Sequence, residues 1–168
     1  DCLDPDDLTR AEIEGRRQVR QAADFYKQYI PEFENSFLHA VPPSLGLRET
    51  RRIQGGYTLT IDDVLSARKF DDGIARHHYY VDVHNPVGAG LEAGVGSRDV
   101  PPVGDHYEVP YRCLVPRGVE QLLAAGRCIS ADRRALGSAR TTVCCAQLGE
   151  AAGIAASWAV ERGCTVRE

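Results

Sequence analysis

Methionine is absent from this 168-residue chain, and tryptophan occurs once. With no initiator residue, the expectation is a segment of a longer polypeptide. No uninterrupted apolar run approaches the ~20 residues needed to cross a bilayer. The acidic start, DCLDPDD, does not resemble a signal peptide. A basic excess is missing too. The net charge is −4 and the pI about 5.7, which favours neither nucleic acid nor an anionic membrane as partner. None of the six cysteines (2, 113, 128, 144, 145 and 164) stands in a Cys-x-x-Cys pair. Without such a pair to join a histidine pair, no metal site is expected. Six in a chain of this length is not the density of a secreted scaffold. Free, buried thiols in a reducing, cytoplasmic compartment are the expectation.

What remains is ordinary globular material. Hydrophobic residues make up 43% and charged residues 26%, enough for one compact body burying about 70% of its unfolded surface.

Thr9-x-x-Glu12 reads as a capping box. The helix it opens runs to about Tyr29 with an apolar stripe through Ile13, Val19, Tyr26 and Ile30, and Pro31 ends it. Residues 47–53 and 57–60 read as short extended pieces around Gly55-Gly56. Thr60 is a suitable N-cap for a short helix over 61–67, with Asp62 and Asp63 in its first turn. Residues 78–83 and 107–114 have strand composition, the second with an edge or bulge at Pro110. The stretch 86–102 is rich in glycine and proline and reads as a long loop. Within it, Gly88-Ala-Gly90-Leu-Glu-Ala93 matches the dinucleotide fingerprint by letters. That fingerprint needs a helix to follow it. Gly94, Gly96, Pro101 and Pro102 oppose one, so a loop beside a substrate entrance is the better reading.

Residues 119–125 read as a short buried parallel strand, with Gly126-Arg127 at its carboxyl end, where open α/β sheets bind ligands. Glycine lets backbone approach a ligand closely, and arginine can fork onto a phosphate. An ordinary surface ion pair is the other reading of Arg127. A long helix is expected from Thr142 to Arg162, stopped by Gly163. Cys145, Gly149, Gly153 and Ser157 recur every fourth residue and leave one face nearly bare. Such a face suits close approach by a strand, another helix or a flat ligand. The preceding Gly137-Ser138-Ala-Arg140-Thr141-Thr142 places hydroxyls and a cation at the positive helix end, suited to developing negative charge. Cys144-Cys145 invites a redox reading, but bridging neighbours needs a distorted peptide that a helix start resists.

With these residues in view, the chain resembles FAD-dependent oxidoreductases of the glutathione-reductase-like superfamily. The matching blocks are Ala125–Ser130, Ala135–Arg140 and Cys145–Gly153, with a second set in Gly46–Gly55 and Tyr57–Leu65. The resemblance covers residues 9–163.

It implies an α/β fold with an α+β insertion, a partial Rossmann-like FAD-binding fold. Residues 1–118 would be a helix plus a mixed α+β substrate-domain segment. Residues 119–168 would be the carboxy-terminal βα unit of the FAD-binding domain. An amino-terminal portion bearing the true G-x-G-x-x-G would be the partner, and the activity would be hydride transfer between a small-molecule substrate and flavin. Gly126 and Arg127 would face the pyrophosphate and ribityl. Leu136, Gly137, Ser138, Arg140, Thr141 and Thr142 would lie along the isoalloxazine. Arg48 and Arg51, with His77 and Tyr79, would line the substrate side, although the charged run from Arg48 to Arg52 is equally readable as an ion-pair ladder. Related flavoproteins often carry an acidic residue where Arg127 stands, so Arg127 is read as a phosphate contact. No acid or base is identified, and a homo-oligomer is allowed. The alternative reading is a non-catalytic interaction module or small subunit that needs a partner for any flavin binding.

Overall fold

A computed structural model describes residues 3–85, 88, 90–92 and 99–167. The chain divides into two compact units, Asp1–Thr50 and Arg51–Glu168. The boundary expected at 118/119 falls inside the second.

The first unit is built on one helix, α1 (Pro5–Tyr29). Its cap is Asp4, whose Oδ1 accepts from the Asp6 N–H at 2.8 Å, with Pro5 preorganised at the first helical position. The capping box expected at Thr9 does not form. Thr9 lies inside the helix, and its hydroxyl bonds back to the Pro5 carbonyl at 2.9 Å. Glu12 instead receives the Leu45 N–H at 2.6 Å, tying the following loop to the helix. No residue of α1 is buried. Phe25, Tyr26, Tyr29 and Phe33 form an exposed aromatic cluster, with ring centroids 5.1 Å apart for Phe25–Tyr29 and 5.3 Å for Tyr26–Phe33.

The second unit holds the core. Its elements are α2 (Ile61–Leu65), β1 (Gly73–His77), β2 (Tyr107–Pro110), a 3₁₀ turn (Tyr111–Cys113), α3 (Arg133–Ala139) and α4 (Thr142–Arg162). Thr60 caps α2 as expected, and Asp63 returns the bond to complete a capping box; the helix ends at Leu65, short of the expected 67. Strands β1 and β2 pair antiparallel, with Ala75 opposite Val109, Arg76 opposite Glu108 and His77 opposite Tyr107. The strand expected at 78–83 therefore lies earlier in sequence, at Gly73–His77. The one expected at 107–114 stops at Pro110, which has no N–H to continue a ladder.

The buried strand expected at 119–125 is absent; those residues are irregular. Parallel pairing occurs after Gly126-Arg127 instead. Leu59 bridges Ala131 in the parallel sense, the Leu59 N–H donates to the Ser130 carbonyl at 3.0 Å, and the Ile53 N–H donates to the Cys128 carbonyl at 2.8 Å. Gly126-Arg127 thus precedes a paired segment rather than following one. The only sheet among the described residues is the two-stranded antiparallel pair. The fold is mixed helix and small antiparallel sheet, compatible with part of an FAD-binding domain.

The segment 133–139, read as loop, is a helix capped by Asp132. One oxygen of Asp132 accepts from Ala135 N at 2.7 Å, and the other takes the Ile61 N–H at 2.7 Å, so a single carboxylate holds the starts of α2 and α3. Around this joint lie Leu59, Val64, Tyr107, Val109, Leu114, Ile129, Leu136 and Leu148, all fully buried.

Helix α4 runs from Thr142 to Arg162, and Gly163 ends it at φ 62°, as its sequence required. Only Cys144, Leu148 and Ala159 are buried along it. Its 21 residues, with a best-window mean hydropathy of 1.3, make it long and apolar enough by composition to cross a membrane. An unbroken-run reading misses this, because Gln147 and Glu150 interrupt the stretch.

Candidate functional site

Gly126 adopts φ +91°, a left-handed conformation in which a side chain would be strained. No atom lies within 4 Å of where its Cβ would stand. Arg127 follows, exposed. Its charge acts on the Cys145 thiol, pulling that thiol's pKa down against the larger upward push of burial. The glycine-arginine turn and the first turns of α4 therefore share one locale.

The bare face of α4 is confirmed in geometry. Cβ atoms added at Gly149 and Gly153 would meet nothing within 4 Å, and both residues are exposed. Packing among the described residues of the second unit does not explain these two glycines. Gly137 is the opposite case. A Cβ there would lie 2.8 Å from Val83 Cγ2 and 3.2 Å from the Asp82 carbonyl oxygen. Glycine at this point of α3 lets the helix sit on the 82–83 backbone.

The α3–α4 junction is tied to the sheet by polar contacts. Leu136, Gly137 and Ser138 are buried. The Ser138 hydroxyl donates to the Tyr79 carbonyl at 2.7 Å and also meets the Tyr107 hydroxyl at 2.9 Å. Arg140, whose side chain is only 10% exposed, donates to the Asp82 carbonyl at 2.6 Å. Leu136, Ser138 and Arg140 turn their side chains into the chain itself, and Gly137 lies against the 82–83 backbone. Thr141 and Thr142 form the partly open end of the junction. Thr141 Oγ1 stands 2.8 Å from His77 Nε2.

His77 is buried on β1, with its ring edge-on to Tyr107 and stacked against Tyr79. Burial pushes its pKa down; the neighbouring His78 adds to that, and the Ser138 backbone opposes it. The imidazole is therefore neutral at pH 7. Of the other expected substrate-side residues, Tyr79 is half-buried and stacks on Tyr80 at 4.5 Å. Arg48 is exposed in the first unit and Arg51 in the second.

Cys144 is enclosed in α4, and burial pushes its thiol up to about 12, which removes it from thiolate chemistry at neutral pH. Cys113, Cys128, Cys144, Cys145 and Cys164 are free thiols. Among the described residues no group of three or more His, Cys, Asp or Glu is placed to hold a metal ion. The Gly88–Ala93 match lies partly outside the described residues.

Sequence reasoning placed the α4 start at Thr142, where the structure has it. It missed Asp82 as the anchor of Arg140 and Thr141 as the partner of His77. The Asp132 N-cap was legible as an aspartate ahead of a helix-compatible run. The His77–Thr141 pairing spans 64 positions and left no local signal.

A family model described as FAD dependent oxidoreductase matches residues 1–168. No curated protein and no solved structure matches the chain.

Proposed function

We infer, because the chain belongs to the FAD dependent oxidoreductase family, that it is the carboxy-terminal portion of a flavoenzyme moving hydride between a small-molecule substrate and its cofactor. FAD is the family's cofactor. When bound, it supplies the hydride-accepting or hydride-donating chemistry, and the protein supplies position and electrostatics.

The observation that carries the reading is the left-handed Gly126 followed by an exposed Arg127, whose charge reaches the Cys145 thiol near the start of α4. An exposed guanidinium beside a positive helix end makes a local field suited to an anionic group. The residues fit the cofactor at this point. Gly126, Gly149 and Gly153 leave open space where side chains would stand, and Thr142 is exposed at the start of α4 with Thr141 partly so. Gly126, Arg127, Thr141 and Thr142 are the proposed contacts. Leu136, Gly137, Ser138 and Arg140 form the scaffold that holds them. His77, Tyr79 and Arg51, all in the second unit, stay on the proposed substrate side.

The partner in this reading is an amino-terminal nucleotide-binding portion of the glutathione-reductase-like kind, and the exposed glycine face of α4 is where it or a second copy would dock. The free thiols favour the cytoplasm as its location. The test is the visible absorption of the purified complete enzyme. Bound oxidised flavin in that enzyme, lost when Gly126 and Arg127 are both replaced, supports the reading. A colourless enzyme after FAD is added favours a non-catalytic interaction module.

A further inference from the structure

Residues 119–125 carry the chain into the Gly126-Arg127 turn without helix or strand. The segment that follows α4 holds the start of this run. The Arg167 guanidinium donates to the Val119 carbonyl at 2.9 Å and to the Pro116 carbonyl, and its Nε meets Glu120 Oε2 at 2.9 Å. The Val166 N–H donates to Gln121 Oε1 at 3.1 Å, and the Val166 carbonyl accepts from the Tyr111 hydroxyl at 2.7 Å. The ion pair with exposed Glu120 contributes little by itself. The planar fork onto two carbonyls does more, because it fixes backbone. Gln121 stands at φ +52°, a left-handed conformation that is costly for a residue other than glycine. Val166 holds its side chain there.

Gln121 lines one cavity with Ala156 and Val160 of α4, while the charge of Arg127 reaches Cys145 near the start of that helix. From Cys145 to the level of Ala156 or Val160 the helix rises roughly 16–23 Å. The chain from Gln121 to Arg127 spans at most about 20 Å when fully extended. The two lengths are comparable, so a shift at Gln121 is carried along to Arg127 rather than taken up as slack. Midway, the Ala124 N–H donates to the Leu114 carbonyl at 2.9 Å. Leu114 closes the 3₁₀ turn that begins at Tyr111, which Val166 also holds.

We propose that residues 164–167 form a strap whose grip on 116–121 sets where the Gly126-Arg127 turn stands, with Arg167 and Tyr111 as positioning residues. Its purpose rests on the reading of that turn as a cofactor contact.

The experiment uses the complete enzyme freed of flavin. Alkylation of Cys145 is followed against pH by peptide mass mapping, and FAD affinity is titrated in parallel. Arg167→Ala lets the turn drift, so the Cys145 thiol loses the Arg127 charge. Its pKa rises in the direction given by Arg127→Ala, and FAD binds about tenfold more weakly, the value of one charged contact. Tyr111→Phe removes a single hydroxyl and moves both readings the same way by less; it stands in if Arg167→Ala folds poorly. Adding Arg167→Ala to Arg127→Ala changes neither reading further.

An unmoved Cys145 in folded Arg167→Ala, or in Tyr111→Phe where that variant stands in for it, overturns the strap. So does a Cys145 shift from Arg167→Ala when Arg127 is already absent, since residues 164–167 then act on α4 directly. A Cys145 shift with FAD affinity untouched in Arg167→Ala and Arg127→Ala alike keeps the strap and overturns the turn as a cofactor contact in the functional reading.

Discussion

The Tyr107 hydroxyl meets the Ser138 hydroxyl at 2.9 Å with both residues fully buried. Ser138 donates its own hydrogen to the Tyr79 carbonyl, so Tyr107 is the donor to Ser138. Tyr107→Phe removes only that donor and costs about 1 kcal/mol. Ser138→Ala strands both a buried phenol and a carbonyl, and costs about 2 kcal/mol or more. Urea unfolding of the two variants should show that order; equal losses would contradict the assigned direction.

Glycine substitutions separate tight from open positions. Gly137→Ala drives a methyl into Val83 and the Asp82 backbone, and is expected to destabilise by about 1–3 kcal/mol. Gly149→Ala meets nothing and should stabilise the isolated chain by up to about 1 kcal/mol through helix propensity. Shifts of the urea midpoint in opposite directions are the expected outcome.

Asp63 gives the second unit an acid-labile point. Burial alone would raise its pKa. Bonds from the Thr60 backbone and hydroxyl, Tyr57 and Arg68 outweigh burial and hold it below the ordinary aspartate value. The folded state therefore binds fewer protons than the unfolded one near that pH. The stabilisation is complete above the unfolded pKa and disappears as pH falls through the folded one. Asp63→Asn should flatten the acid limb of a stability–pH curve. An unchanged slope would remove Asp63 from the account.

Arg127→Ala in the complete enzyme is expected to weaken FAD binding by about 1.5–3 kcal/mol, the worth of a charged hydrogen bond. The same change should raise the Cys145 thiol pKa, because the Arg127 charge now lowers it. Thiol reactivity against pH reads the second effect without any flavin present.

Gly149→Leu fills open space on α4. The isolated chain should keep its helix content by circular dichroism, and the complete enzyme should carry less flavin. Full flavin content in that variant would show that nothing approaches this face closely.

Local signals were legible where one element decides its own fate. Thr60 and Asp63 announce α2, and Gly163 announces the end of α4. Pro31 follows the end of α1 at Tyr29. Thr9-x-x-Glu12 reads as a capping box and puts the start of α1 about one turn late; the helix begins at Pro5 with Asp4 as its cap. Strand positions depended on distant partners. Residues 78–83 have the composition of a strand, but the neighbour offered by β2 aligns with 73–77. In the candidate site, residue types at the α3–α4 junction were readable and their directions were not. Ser138 and Arg140 look like ligand groups in sequence; Tyr107, Tyr79 and Asp82, far away along the chain, turn them inward.

The shared carboxylate of Asp132 has a kinetic meaning. Ile61 and Asp132 are 71 positions apart, so the Ile61 N–H gains its acceptor only when that loop closes, whereas Thr60–Asp63 and Asp132–Ala135 cap α2 and α3 locally. Replacing the aspartate should therefore loosen the start of α3 and release the Ile61 amide together, while the local box keeps α2.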